Sequence, residues 1–257
     1  MRTRGVNHSK TACPVKDGGS NADDKKQSSG PRRGEKERNP MFVEMWMNHD
    51  PITVEPNATI SFAAMEMSRR KVRHLLVTES LVGAKRLVGI VSKYDLPGAF
   101  PANLNPFSIE VFEETVPRAV SAIMARNIRS TTPDTPIEEA ARLLRAHKIG
   151  ALPVLRGSRL LGIITESDIF DAFIAMTGAH GGGMRITLEM SGEESLLPAM
   201  TELGRRYGVR LVSFFSYGQN KSENSHALCT FRVSGGKPAD FVEHIWKSGC
   251  RVLSAIG

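Results

Sequence analysis

Cysteine is scarce in this sequence: Cys13, Cys229 and Cys250 are an odd number with no Cys-x-x-Cys pair. That argues against a disulfide scaffold or a zinc cluster and fits a reducing, cytoplasmic setting. No apolar run approaches the roughly 20 residues of a membrane-spanning helix. The N-terminus is polar and basic, so no secretory signal is expected. The 7 histidines (8, 49, 74, 147, 180, 226 and 244) are dispersed, without a His-x-x-x-His pair, and no metal site is expected. Gly181-Gly182-Gly183 lacks the Lys-Ser/Thr of a phosphate-binding loop and reads as a linker. Cys229, on a predicted strand, reads as a buried small apolar residue. With no nucleophile–base pair in view, the expectation is a protein that is not an enzyme.

A chain of 257 residues, 40% hydrophobic and 24% charged, is ordinary for one to three small globular domains. The formal charge of +7 resembles a nucleic-acid signal until it is located. Residues 1–40 hold ten Lys/Arg and five Asp/Glu, a surplus of +5, which leaves +2 for the other 217 residues. A nearly balanced folded part makes nucleic acid an unexpected partner. Residues 1–40 have almost no aliphatic or aromatic content and are predicted to be a disordered basic tail. Met41 opens the first patterned segment and is a candidate native start.

What the chain does have is an internal repeat. Residues 43–77 align without gaps on 120–154 at an offset of 77: Met47 falls on Met124, Pro56 on Pro133, Ile60 on Ile137 and Lys71 on Lys148. After a loop four residues longer in the first copy, RLVGIVSKYDL (86–96) falls on RLLGIITESDI (159–169) at an offset of 73. Each copy reads as a short strand, a helix, two strands and a helix. Ile60, Ala63, Ala64 and Met67 recur as Ile137, Ala140, Ala141 and Leu144, one buried helical stripe. Thr135-Pro136-Ile137-Glu138 reads as a capping box with Pro at the first helical position. Gly83 and Gly157 mark the turns between strands. The stretch Pro97–Ser108 reads as a structured loop, with Phe100 and Phe107 tucked under the fold.

After the Gly-rich stretch 177–183 the pattern changes. A strand (184–190), a helix (194–207) with Leu196, Leu197, Met200 and Leu203 as its apolar face, and strands at 209–217 and 226–233 are predicted. A helix (238–248) and a strand (250–256) complete a βαββαβ, ferredoxin-like order.

Two copies of Gly-apolar-x-Ser/Thr-x-x-Asp carry the chemistry: Gly89…Ser92…Asp95 and Gly162…Thr165…Asp168. Ser92 and Thr165 end strands and begin predicted helices, where free N–H groups and a hydroxyl suit a phosphate. Asp95 and Asp168, one helical turn on, can accept hydrogen bonds from both hydroxyls of a ribose. Val72–Leu75 and Ile149–Leu152 could sandwich an adenine. Arg70, Lys71, Arg73, His74, His147 and Lys148 bring positive charge. The bland alternative is that each Ser/Thr-x-x-Asp is only a helix cap.

These motifs, with Pro51-Ile52-Thr53-Val54 and Ala151-Leu152-Pro153-Val154, resemble the CBS domain, a ligand-sensing module that occurs in pairs. The resemblance covers about residues 43–176. The first copy departs from the pattern in having Leu76 where Pro153 stands. The resemblance implies an α/β (α+β) tandem CBS pair that binds AMP, ADP, ATP or S-adenosylmethionine as a regulatory ligand. The implied ligand set is Thr53, Val72, Arg73, His74, Leu75, Ser92 and Asp95 in the first copy. In the second it is Ser130, Ile149, Ala151, Leu152, Pro153, Thr165 and Asp168.

The C-terminal order resembles the ACT domain, and the whole arrangement over about 41–257 resembles the acetoin-utilisation B protein family. The loop Ser191-Gly192-Glu193-Glu194-Ser195 lacks the proline of the usual ACT ligand loop, so amino-acid binding and dimerisation both stay open. The expected divisions are a tail (1–40), CBS domain 1 (41–97), an inter-repeat loop (98–117), CBS domain 2 (118–176), a Gly-rich linker (177–183) and an ACT-like domain (184–257). The expected protein is a homodimeric sensor of adenine nucleotide without a membrane partner, passing its signal to the ACT-like domain or to a regulated enzyme. The alternative is an amino-acid-sensing ACT-type regulator with a structural CBS pair.

Overall fold

A computed structural model describes residues 41–81, 84–100, 105, 107, 118–190, 196–218 and 227–257. The tail 1–40, the turn at Gly83, most of the loop 101–117 and Ser191–Ser195 lie outside the described residues. The described chain forms two compact units, one ending at Ala172 and one running Phe173–Gly257.

In the first unit, the first copy contributes β1 (Thr53–Val54), α1 (Ile60–Arg70), β2 (His74–Leu81) and β3 (Ala84–Ser92). Strand β1 lies parallel to β2, and β2 antiparallel to β3. The second copy contributes α2 (Ile137–His147), β4 (Ala151–Arg156), β5 (Arg159–Thr165) and α3 (Glu166–Met176), with β4 antiparallel to β5. Where β1 has its counterpart there is one parallel bridge, Thr131 to Val154. The β-bulge falls at the same place in each copy, Val77/Thr78 and Val154/Leu155. The apolar stripe of α1 is buried at Ile60, Ala63, Ala64 and Met67, and that of α2 at Ile137, Ala140 and Leu144. Phe100 is buried in the first copy's core and Phe107 packs against it, as the loop reading expected.

Two local expectations are corrected. The first copy has no final helix: Ser92 is followed by turns and a 3-10 segment, Pro97–Ala99. A helix begun at Ser92 would drive the Pro97 ring against the carbonyl of Lys93, four residues back; the second copy has Phe170 there. Nor is Thr135 the first residue of a capping box. Helix α2 starts at Ile137 with Pro136 at its N-cap and no side-chain cap bond. The Thr135 hydroxyl instead accepts from the Thr132 N–H at 3.2 Å, and the Ile137 N–H donates to the Met41 carbonyl at 2.8 Å.

That last bond belongs to a pattern invisible in local sequence. The segment leading into each copy pairs with the other copy. Val43 N–H donates to Thr135 O, Glu44 to Pro133 O, and Asn48 and Ile163 exchange a pair of bonds. Shifted by the repeat, Val120 donates to Ala58 O, Ser121 to Pro56 O, Ile60 to Arg118 O, and Ala125 and Ile90 exchange a pair. Val120 and Met124 are buried in the core of the first copy. The motif glycines make this approach possible. A Cβ on Gly89 would overlap the Met124 thioether, and one on Gly162 would overlap the Asn48 carbonyl oxygen.

The second unit is built from β6 (Met184–Met190), α4 (Leu196–Tyr207), β7 (Arg210–Gly218), β8 (Ala227–Ser234), α5 (Pro238–Lys247) and β9 (Arg251–Ile256). The sheet order is β7-β8-β6-β9, with every neighbouring pair antiparallel. This is the split βαββαβ order read from the sequence. Its core gathers Ile186, Leu188, Cys229, Phe231 and Val233 under Met200, Phe241 and Ile245. Leu197 is the exception: it is 42% exposed, because Leu196, Met200, Leu203 and Tyr207 share the inward face at spacings of four, three and four.

Candidate functional site

The Thr165 motif is assembled by a strand end and a helix start. Strand β5 ends at Thr165 and α3 begins at Glu166. The Asp168 carboxylate turns back and accepts, through Oδ2, from the Thr165 N–H at 2.7 Å and the Thr165 hydroxyl at 2.8 Å. The Asp168 N–H reaches back to the Thr165 hydroxyl at 3.5 Å. This reciprocal cap fixes the carboxylate at the first turn of a helix whose leading N–H groups have no intrahelical acceptor. Only Oδ2 is engaged in these bonds.

Thr165 and Asp168 open into a cleft of about 210 Å³. Its other side comes from the first copy: Lys71, Val72, Arg73 and His74, the turn that joins α1 to β2. Asn48 and Ile52 add the lead segment, and Ile163 and Ser167 complete the second copy's wall. The site is thus composite, pairing the predicted base-binding segment of one copy with the predicted ribose motif of the other. Lys71 is the left-handed C-cap of α1 at φ 56°, and Lys148 repeats it on α2 at φ 53°. A residue with a Cβ there costs about 1 kcal/mol where glycine is usual. The Arg73 guanidinium donates to the Ser167 hydroxyl at 2.9 Å, joining the copies at the cleft. Its carbonyl accepts from the Lys93 N–H at 2.8 Å.

His74 sits in the same wall, half-buried. Burial lowers its pKa from the ordinary 6.5, and the Arg73 charge lowers it further; Glu166 and Asp95 pull weakly the other way. The imidazole is therefore neutral at pH 7 and adds no charge of its own.

The other sequence-predicted residues fall elsewhere. In the first motif, Asp95 Oδ2 accepts from the Ser92 N–H and hydroxyl, both at 2.7 Å. No helix stands behind this pair, Asp95 is exposed, and the Tyr94 side chain is 81% exposed. Thr53 lies on β1 and accepts from the Lys85 ammonium at 3.2 Å. Ser130 is exposed beside the Thr131 bridge, and Ile149 is half-buried after α2. The Leu75 side chain belongs to the first copy's core, and Leu152 and Pro153 are buried within β4. Ala151 is buried with Leu76 and Ile163, where the two copies meet. Asn48, Ile52, Ile163 and Ser167 line the cleft without having been singled out. The repeat offers one retrospective signal, since Asn48 directly follows the Met47 that faces Gly162.

The family model of the CBS domain matches residues 43–100 and 120–175. A CBS domain-containing protein of Dictyostelium discoideum is 30% identical over 139 residues, 52% of this chain and 92% of that protein. The chain belongs to the family of proteins with a tandem pair of CBS domains. A homoserine O-acetyltransferase of Methanohalobium evestigatum is 30% identical over 129 residues, but this chain spans only 23% of that enzyme. Among solved structures, the Vibrio cholerae protein assigned to acetoin utilization (AcuB) is 30% identical, over 55% of this chain and 95% of that chain, with a TM-score of 0.44. The structure of CBSX2 in complex with AMP is 26% identical, over 52% of this chain and 96% of that chain, with a TM-score of 0.43.

Proposed function

We propose that this chain is a regulatory sensor that binds an adenosyl ligand, AMP, ADP, ATP or S-adenosylmethionine, in the cleft between its CBS copies. The observation that carries the reading is the Asp168 carboxylate, held at the cleft by Thr165 through one oxygen. Oδ1 is then the acceptor for ribose hydroxyls. Val72, Ile52 and Ile163 supply apolar surface for a purine, while Lys71, Arg73 and the leading N–H groups of α3 suit a phosphate. A ligand that touches both copies binds one relative arrangement of them better than another, and that difference is the signal.

The second unit is read as an ACT-like domain, on its βαββαβ order, and as the receiver of that signal or its relay to a regulated enzyme. A symmetric homodimer and a setting in acetoin or acetyl-group metabolism complete the proposal. Light scattering that gives a monomer mass at micromolar concentration, with and without nucleotide, would sink the dimer.

Isothermal calorimetry with the four ligands tests the site. Asp168→Asn should weaken binding by about ten- to a hundredfold, the loss of one or two charge-assisted hydrogen bonds. It should also cost about 1 kcal/mol of stability through the lost cap. A folded Asp168→Asn protein with unchanged affinity defeats the assignment and leaves Asp168 as a helix cap.

A further inference from the structure

The two motifs are related by the repeat, yet the cleft is not symmetric. Arg73 corresponds to Gly150 at the offset of 77, and Ser167 corresponds to Tyr94 at the offset of 73. The inter-copy bond from Arg73 to Ser167 therefore has no counterpart across the pseudo-two-fold relation. Space helps to enforce the asymmetry, since a Cβ on Gly150 would lie 3.0 Å from both Cε1 and Nε2 of His74. A second arginine there would have to displace the imidazole.

Charge and volume point the same way. Lys71 and Arg73 bring two cations to the cleft, His74 is neutral, and the carboxylate in the lining, Asp168, is tied to Thr165. Glu166, beside His74, is exposed on the first turn of α3. At about 210 Å³ the cleft falls below the roughly 300–1,000 Å³ usual for small-molecule sites. A nucleotide must therefore move something, and the Arg73 side chain that reaches across to Ser167 is the exposed, flexible part of the wall.

Building on the adenosyl reading above, we propose that Arg73 makes this cleft select a phosphate-bearing nucleoside over a neutral or cationic one, exchanging the Ser167 hydroxyl for a phosphate oxygen. In the empty cleft the guanidinium is parked on Ser167 with a neutral acceptor. A phosphate at the leading N–H groups of α3 offers it a charged acceptor, and a bond to a charged group is roughly twice as strong. Adenosine offers no such acceptor, and S-adenosylmethionine brings a cation towards Lys71 and Arg73.

The test is calorimetry on the full chain with AMP, adenosine and S-adenosylmethionine, in the unmutated protein, Arg73→Ala, Arg73→Gln and Ser167→Ala. AMP should bind the unmutated protein about ten- to a hundredfold more tightly than adenosine. Both Arg73 variants should shrink that gap to within about threefold, the loss falling on AMP, while S-adenosylmethionine gains. Ser167→Ala should keep the gap, with AMP bound as tightly or more tightly, because the guanidinium no longer has an acceptor to leave. Equal affinities for AMP and adenosine in the unmutated protein overturn the inference and leave the adenosyl reading standing. So does a gap that survives in both Arg73 variants, or a Ser167→Ala loss as large as that of Arg73→Ala. Binding of none of the three compounds overturns the adenosyl reading and this inference with it.

Discussion

Alanine at the two motif glycines gives a sharp test of the crossed lead segments, because the positions are equivalent by sequence and different by contact. At Gly162 an added Cβ runs into the Asn48 carbonyl oxygen, with the Met47 thioether 3.3 Å away. That carbonyl accepts from the Ile163 N–H at 3.0 Å, and the Asn48 N–H donates to the Ile163 carbonyl at 2.9 Å. The backbone must retreat, so both bonds weaken, at about 1 kcal/mol each. Overpacking adds about 1–3 kcal/mol, and the lower entropy of the unfolded alanine chain returns about 0.4–1. The net expectation for Gly162→Ala is a loss of about 2–4 kcal/mol. At Gly89 the first obstacle is the Met124 side chain, whose unbranched thioether can turn aside. Gly89→Ala should therefore cost about 1 kcal/mol or less. Differential scanning calorimetry of the full chain reads both, with the Gly162→Ala transition of the CBS pair lower by about 5–15 °C. If the two variants melt together, the lead segment does not bear on β5 as described and the reasoning fails.

Three further outcomes are expected. Removing residues 1–40 should leave the melting temperature unchanged, whereas a start at Asp50 removes Met41, Val43 and Asn48 with their bonds to the second copy and should abolish the cooperative transition; equal melting of the two truncations would refute this. Because the folded pKa of His74 is depressed, its contribution to stability is present above about pH 6.5 and is lost as the pH falls below it, where the unfolded chain takes up a proton that the folded chain resists. His74→Gln should accordingly flatten the fall in melting temperature between pH 7.5 and 5.5, and an unchanged slope would place the pH dependence elsewhere. The Thr131 hydroxyl is buried without a hydrogen-bond partner among the described residues, at the position where the first copy holds Val54. Thr131→Val should therefore raise stability by about 1 kcal/mol in urea titration, and a loss of that size would mean the hydroxyl is satisfied.

Much of the fold was legible because the repeat fixed it twice. The stripes of α1 and α2, the paired strands after each and the βαββαβ order of the second unit all follow from apolar spacing. Prolines misled where position within a turn decides the outcome. Pro97 cancels a helix that the matching motif forecast, and Pro136 occupies the N-cap rather than the first helical position. The ligand motif itself was legible down to Thr165 and Asp168. Which copy's base-binding segment faces it was not, since a repeat reads the same whether its halves close on themselves or on each other. The crossing is made mostly by backbone bonds, which carry no side-chain signature. Asn48, Ile52 and Ser167 reach the cleft as a result of that crossing.

The exchanged lead segments also bear on how such a chain could arise. A polypeptide carrying only one copy would present a lead segment with nothing to pair with and, on its own sheet and helix start, an empty place for one. Two such chains would satisfy each other by trading those segments, the reciprocal exchange seen in domain-swapped dimers. The tandem chain is in this sense a swapped dimer whose halves have been joined end to end. The join then frees each half to change independently, so that one could acquire Arg73 and Ser167 while the other settled on Gly150 and Tyr94. An obligate pair of identical chains could never have made that division of labour.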